Sequence, residues 1–262
     1  LRNLTVLEDA AEMVRRRQPG FDVAAVPEDD KETFAMLSAG RTEGVFQLES
    51  TGITAVCTGL KPKSIEDITA VIALYRPGPM DSIPRFLECS AHPEKISYKH
   101  PLLEPILSVT YGCIVYQEQV IEIFRRLAGF SLGQADMIRR AMSKKKHAVI
   151  DAERQAFIHG DPERGIPGCV KNGVDEATAN SIYDEILDFA SYAFNKAHAV
   201  AYAVVAYRTA YMKCHWPCEY MAALLTSVLD STTKVAEYIS ECREMGIKVL
   251  PPDVNEPDAR FT

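Results

Sequence analysis

The sequence of 262 residues lacks the short motifs that identify most nucleotide-binding and hydrolytic enzymes. It has no glycine-rich phosphate loop, no dinucleotide-binding glycine pattern and no Gly-x-Ser-x-Gly nucleophile elbow. Acidic residues are plentiful, but no pair spaced as Asp-x-Asp lies on a predicted strand, where two magnesium ions could be held. These absences exclude the common phosphate-loop, Rossmann and α/β-hydrolase interpretations.

Long apolar runs are also missing, and the cysteines show no disulfide or metal-site spacing. The most apolar stretch, residues 197–206, is too short to span a membrane and contains His198 and Tyr202. The seven cysteines are scattered, and no signal-peptide pattern is visible, so a reduced cytoplasmic protein is expected. His215 lies between Cys214 and Cys218, but no second ligand pair follows, which favours buried helix thiols over a metal site.

Acidic residues outnumber basic ones overall, but one segment is strongly basic. The formal net charge is -7, which by itself argues against a nucleic-acid-binding protein. Between Asp136 and Asp151, however, there are five Lys or Arg residues and no acid. On a helix, Arg140 and Lys144 would share one side, an array that suits a triphosphate or a polynucleotide backbone. A solvated surface face explains this segment equally well, and the phosphate hypothesis requires that neighbouring carboxylates do not pair with these cations.

Three further segments combine polar and aromatic residues. Residues 192–198 (YAFNKAH) could stack bases and offer phosphates a cation and free backbone amides at a helix start, although a buried core turn is the favoured alternative. Residues 116–119 (YQEQ) could bind bases or simply cap a helix. Residues 76–79 (RPGP) place a cation on a rigid loop, with an ordinary surface arginine as the alternative.

The periodicity predicts a mainly α fold, irregular and multi-helical, with a minor β element at residues 247–250. Apolar residues predict a helix from Gln117 to Ala128, ended by Gly129, and Ser131 with Gln134 forms a capping box for the next helix. We divide the chain into a junction helix and connector (1–30), a helical domain (31–230) and a helix-strand end (231–262).

Several long segments, in order, resemble the alpha subunit of bacterial DNA polymerase III, a C-family replicative polymerase. The resemblance covers nearly the whole chain, and Ala197 and Cys218 are small departures from the family pattern. The segments that carry it are 44–50 (GVFQLES), 73–80 (ALYRPGPM), 111–112 (YG), 115–120 (VYQEQV), 135–142 (ADMIRRAM) with the lysines 144–146, 192–198 (YAFNKAH), 217–223 (PCEYMAA) and 250–255 (LPPDVN).

This resemblance implies the fingers portion of a polymerase that transfers nucleotides to primer-template DNA. The three palm aspartates, which bind two Mg²⁺ ions in that family, are expected upstream of Leu1, so the isolated chain is expected to be inactive and to hold no metal. The sliding clamp and other replisome subunits would bind outside this chain. The implied nucleotide-binding residues are Arg139, Arg140, Lys144, Lys145, Lys196 and His198, with Arg76 and Gln117 as weaker candidates; the implied DNA-binding residues are Lys146, Tyr116 and Asn195.

Two other interpretations stay open at this point. A non-catalytic helical scaffold could use the basic segment to dock an acidic protein, and an RNA-polymerising relative has a similar composition. Measuring DNA or nucleotide binding at two salt concentrations distinguishes the scaffold from a polymerase fragment, because phosphate contacts weaken steeply as salt rises.

Overall fold

A computed structural model describes residues 2–144, 147–190, 192, 194–251 and 261. Within this part of the chain the fold is mainly α, as the sequence predicts, and no described helix has the length and apolarity needed to cross a membrane. The helices are α1 (Arg2–Arg15), α2 (Lys31–Ser38), α3 (Thr51–Leu60), α4 (Ile65–Leu74), α5 (Ile83–Ala91), α6 (Glu104–Leu107), α7 (Gln117–Ala128), α8 (Leu132–Ser143), α9 (His147–His159), α10 (Glu176–Ala190), α11 (Lys196–His215), α12 (Pro217–Ser227) and α13 (Thr232–Glu244).

The predicted helix pair that carries the basic segment is confirmed. Gly129 ends α7 with a φ of 78°, a left-handed conformation that a side chain would strain. At the start of α8, the N–H of Ser131 donates to Gln134 Oε1 at 2.8 Å, and the N–H of Gln134 donates to Ser131 Oγ at 3.3 Å. This reciprocal capping box fixes where α8 begins.

The predicted β element is not confirmed. Residues 247–250 form no strand, and β pairing in the described residues is limited to two isolated bridges, Tyr116 with Phe194 and Asp161 with Ile166. Alternate side chains of the segment, Ile247 and Val249, pack against an apolar core instead. The alternation of apolar residues at 247–250 therefore reflects an extended segment that lies along the core, without a partner strand among the described residues.

The chain divides into two compact units. Unit 1 comprises Leu1–Ile72 and Val200–Thr262, and unit 2 comprises Ala73–Ala199. The boundaries at residues 30 and 230 that the sequence suggests stay a prediction.

The core of unit 1 includes the packing of α1 against α12. Leu7, Ala10 and Val14 recur at helical spacing on α1 and are buried with Tyr220 and Leu224 of α12. The stripe is the amphipathic pattern expected of a helix that lies on a core.

The core of unit 2 is built around the ring of Phe124 in α7. Its centroid lies 5.2 Å from that of Phe130, 4.9 Å from Phe157 and 6.0 Å from Tyr183. The Tyr183 hydroxyl donates to the carbonyl of Ile150 at 2.6 Å, so this buried polar group is satisfied. The cluster anchors α7, α9 and α10 and gives α7 a rigid base.

Candidate phosphate-binding site

An isolated parallel β-bridge in unit 2 brings the first turns of α7 and α11 together. The N–H of Gln117 donates to the carbonyl of Phe194 at 2.9 Å, and the N–H of Phe194 donates to the carbonyl of Val115 at 3.3 Å. Gln117 begins α7, and Lys196 begins α11 two residues after Phe194. Two segments that stand apart in the sequence therefore meet at one place.

Gln119 explains part of the 116–119 segment as helix capping. Its Oε1 accepts from the N–H groups of Val115 and Tyr116 at 2.8 and 2.9 Å. Its Nε2 donates to the carbonyl of Ile106 at 3.2 Å and to Thr110 Oγ1 at 2.7 Å. This side chain is buried and fully used within the protein, so it is structural.

Glu118 occupies the start of α11. Its carboxylate accepts from Asn195 Nδ2 at 3.1 Å and from the N–H of Lys196 at 3.0 Å, while Asn195 Oδ1 accepts from the N–H of His198 at 2.9 Å. The N–H groups of Lys196 and His198 are therefore not the free backbone amides that the sequence led us to expect at this helix start, because protein acceptors already bind them.

Replacing Glu118 with glutamine is expected to lower the free energy of unfolding by about 1 kcal/mol, as loss of a helix cap does. A glutamine has one acceptor oxygen, so it cannot accept both bonds, and its NH₂ group would face a donor. Urea denaturation measures the change. The control is Glu122→Gln, which removes a surface acceptor of Arg125 and Arg126 on the same helix and is expected to cost about 0.5 kcal/mol or less. Equal effects of the two substitutions would contradict the capping role.

Arg76 lies against the bridge on the face of the Phe194 ring. Its guanidinium carbon is 4.2 Å from the ring centroid, Nε donates to the carbonyl of Ala73 at 2.8 Å, and a terminal nitrogen donates to the carbonyl of Tyr192. Burial lowers the pKa of Arg76 below its ordinary value. None of the described carboxylates pairs with it, so its charge is balanced only by neutral dipoles and remains able to attract an anion.

The loop after Arg76 is shaped by Gly78. Its φ is +105°, and a Cβ added there would lie 2.2 Å from the ring of Tyr192. Only glycine allows this close approach. The half-exposed Tyr192 ring and the partly buried Phe194 ring do not form the buried core turn that the sequence favours as the alternative.

Both arginines of α8 are paired with a carboxylate, so the requirement that these cations stay unpaired is not met for them, and a phosphate role rests on the nitrogens of Arg140 that this pair does not use. Asp136 Oδ1 lies 2.8 Å from a terminal nitrogen of Arg139, and Asp136 Oδ2 lies 2.7 Å from Arg140 Nε. The helical spacings of three and four residues cause this, because both place an acid beside a cation. Hydrogen bonding from Arg139, together with the charges of both arginines, lowers the pKa of Asp136. Its carboxylate is therefore ionised above that lowered value, and the pairing is lost only as pH falls through it.

The two arginines differ in what they have left to offer. Arg139 is three-quarters buried and spends Nε and one terminal nitrogen on Asp136 and the other terminal nitrogen on Gln117 Oε1 at 2.7 Å. Arg140 is 69% exposed and uses only Nε, so both terminal nitrogens have no partner among the described residues. Lys144, one turn further along, is exposed and is not paired with any described carboxylate. Arg140 and Lys144 are thus the side chains of this segment with donors available to a ligand.

Two more of the predicted residues, Lys196 and His198, lie beside the bridge. Lys196 Nζ is 5.2 Å from the ring centroid of Tyr116, which is fully buried and therefore supports Lys196. His198 is exposed, with its ring 5.5 Å from that of Phe194. Lys145 and Lys146 lie outside the described residues, and their roles stay predictions.

These contacts bring several cations together. Arg76, Arg139, Arg140, Lys144 and Lys196 contribute positive charge, and the described carboxylates Glu118 and Asp136 offset part of it. Clustered cations of this kind suit phosphate oxygens.

Sequence reasoning missed the carboxylates that organise this cluster. Asp136 stands three and four residues before Arg139 and Arg140, a spacing that could have revealed the pairing. The link between Glu118 and the α11 start had no local pattern to reveal it, because its partners are distant in sequence.

The carboxylates in the cluster do not fit a pair of magnesium ligands. Glu118 accepts two N–H donors, and Asp136 is shared by two guanidinium groups. A metal would have to displace these donors, so no metal is assigned to them.

Comparison with known proteins agrees with the motif order. A family described as "Bacterial DNA polymerase III alpha subunit finger domain" matches residues 3–165. The whole chain is 45% identical to the DNA polymerase III subunit alpha of Bacillus subtilis and covers 23% of it. It is 47% identical to that of Thermus aquaticus, covering 21%, and 46% identical to that of Halalkalibacterium halodurans, covering 23%. The chain thus spans less than a quarter of the length of these curated relatives.

Proposed function

The chain belongs to the bacterial DNA polymerase III alpha subunit finger domain family, and on this premise we propose that it binds the incoming deoxynucleoside triphosphate and the primer-template during nucleotidyl transfer. The observation that carries the proposal is the exposed guanidinium of Arg140, held by Asp136 through Nε alone. Two parallel N–H groups on a planar fork match a phosphate group better than a single point charge does.

The proposed roles divide between reaching and positioning. Arg140 and Lys144 reach the phosphates, while Asp136 and Gln117 hold Arg139 in place behind them. Arg76 supplies charge from the other side of the bridge, with Lys196 and His198 beside the polynucleotide. The contribution is electrostatic: fixed cations offset charge on the triphosphate and on the leaving pyrophosphate.

Polymerase activity is proposed for the parent subunit. Mg²⁺, the clamp and the other replisome subunits are proposed to engage other parts of that protein. The isolated chain is therefore expected to bind primer-template weakly and to extend no primer. Incubation with primed template, nucleotides and Mg²⁺ checks this, and reproducible extension would show that the chain itself holds a catalytic centre.

The binding proposal is tested by titrating a fluorescent deoxynucleoside triphosphate with the chain at two salt concentrations. Arg140→Ala is expected to weaken low-salt binding roughly 10–100-fold, the cost of a charge-assisted hydrogen bond, and to reduce the salt slope by about 1. The control is Arg126→Ala on α7, because Arg126 is half-exposed and pairs through Nε with Glu122 four residues earlier, as Arg140 does with Asp136.

Binding that is equal in the two variants would remove Arg140 from the site. No binding at low salt would favour the alternative of a scaffold that docks an acidic protein. Retained binding of the Arg126→Ala variant with loss in the Arg140→Ala variant would locate the phosphate contact on α8.

A further inference from the structure

Unit 1 holds a group of metal-ligating side chains at the start of α2 and the end of α11. The carboxylate of Glu32, the thiol of Cys214 and one ring nitrogen of His215 offer donor atoms that all lie within 4.8 Å of one another. The sequence pattern points to Cys218 as the companion of Cys214 and His215. In the structure the third ligand comes from a helix distant in sequence, which no local spacing could reveal.

A fourth residue, Asp30, orients the group. Its Oδ2 lies 2.8 Å from His215 Nε2 and also accepts from the N–H and hydroxyl of Thr33 at 2.8 and 2.6 Å. A carboxylate bonded to a histidine is the arrangement that fixes ring orientation and raises ligand basicity at metal sites. Contact with the tilted ring of Tyr211, whose centroid is 4.4 Å from that of His215, further restricts the histidine ring.

We propose that Glu32, Cys214 and His215 form a binding site for a borderline-soft divalent cation such as Zn²⁺, with Asp30 as the positioning residue. The combination of thiolate, imidazole and carboxylate is the Zn²⁺ donor set, whereas Mg²⁺ and Ca²⁺ prefer oxygen alone. Three protein ligands leave a fourth tetrahedral position for water.

The geometry requires only a small adjustment to close on an ion. Ligand bonds of about 2.0–2.3 Å place tetrahedral donor atoms roughly 3.3–3.8 Å apart, against separations of up to 4.8 Å here. Glu32 is exposed on the first turn of α2 and can swing toward the other two ligands without repacking a core. Cys214 and His215 are both half-buried, so solvent can deliver the ion.

The charge state of the group is consistent with this role. Burial raises the pKa of the Cys214 thiol, and the nearby carboxylates of Asp30 and Glu32 raise it further. Without a cation the group is therefore a thiol beside two acids. A divalent ion bound by the thiolate would neutralise the clustered negative charge.

The test is titration of the full chain with Co²⁺ under a non-thiol reductant, followed by absorbance. A thiolate-to-cobalt charge-transfer band is expected, and Zn²⁺ should displace it, since Zn²⁺ binds such sites more tightly than Co²⁺. Cys214→Ser should abolish the band. Glu32→Gln, at an exposed position where the substitution disturbs no core, should weaken Co²⁺ binding roughly 10–100-fold.

Cys218→Ser is the matched control, because this exposed cysteine lies four residues after Cys214, on α12, and outside the group. It should keep the band and the affinity. Absence of the band in the parent chain, persistence of the band in Cys214→Ser, or unchanged affinity in Glu32→Gln would each overturn the proposal. The outcome is independent of the proposed DNA and nucleotide binding, because these residues belong to unit 1 and the phosphate cluster belongs to unit 2.

Discussion

Replacing Lys213 with methionine is expected to lower the free energy of unfolding by roughly 3–5 kcal/mol, the cost of removing one partner of a buried ion pair. The Lys213 side chain is only 1% exposed. Its Nζ donates to Glu241 Oε1 at 2.6 Å and to the carbonyls of Glu43 and Arg41 at 2.7 and 3.2 Å. Methionine fills a similar volume but leaves all three acceptors without this donor, and Glu241 is itself largely buried.

Chemical denaturation of the parent and variant chains measures the difference. Lys234→Met is the matched control in the same unit, since Lys234 is 38% exposed and pairs with Glu237 at 2.8 Å. Exposed pairs contribute about 1 kcal/mol or less, so the control is expected to stay within that range. Comparable losses in the two variants would show that Lys213 is not the link between α11, α13 and the segment after α2.

Helix positions are accessible from the sequence because their determinants are local. The helix predicted from Gln117 to Ala128 is confirmed residue for residue, since an apolar stripe ends there at Gly129, whose left-handed φ stops the helix. The strand predicted at 247–250 fails for the opposite reason: strand formation needs a partner, and no local pattern supplies one.

The candidate site likewise combines features that local sequence determines with features that depend on distant residues. Basic and aromatic residues can be identified from the sequence, and the structure brings Arg76, Gln117, Lys196 and the α8 arginines to one place. The carboxylates that bind these basic residues can be identified from the sequence only in part. The ion pairs of Asp136 with its arginines follow from helical spacing. The hydrogen bond from the Lys196 N–H to Glu118 instead depends on a β-bridge between segments that are distant in sequence.

The largest functional effect is expected from Arg140→Ala in the parent subunit. If Arg140 contacts the triphosphate as proposed, its removal deletes a fixed donor aimed at developing charge, which typically costs about 10²–10³ in kcat. Primer extension at varied nucleotide concentration measures kcat and KM separately. Arg140→Lys keeps the charge but not the planar fork, so it should recover only part of the rate.

The loss of kcat is expected to be larger for substitution of Arg140 than of Arg139, because the two arginines have different partners. Arg139 is tied by three nitrogens to Asp136 and Gln117, so a substitution there disturbs positioning. Arg140 is bound to Asp136 by one nitrogen, Nε, and its two terminal nitrogens face no described acceptor. Asp136→Asn offers the decisive comparison, because it weakens the ion pair of Arg140 without removing Arg140. The KM for nucleotide should therefore fall or stay level. The kcat should drop, because Arg139 loses the carboxylate that positions it. A wild-type rate for Arg140→Ala at limiting nucleotide would instead mean that Asp136 holds a merely structural pair.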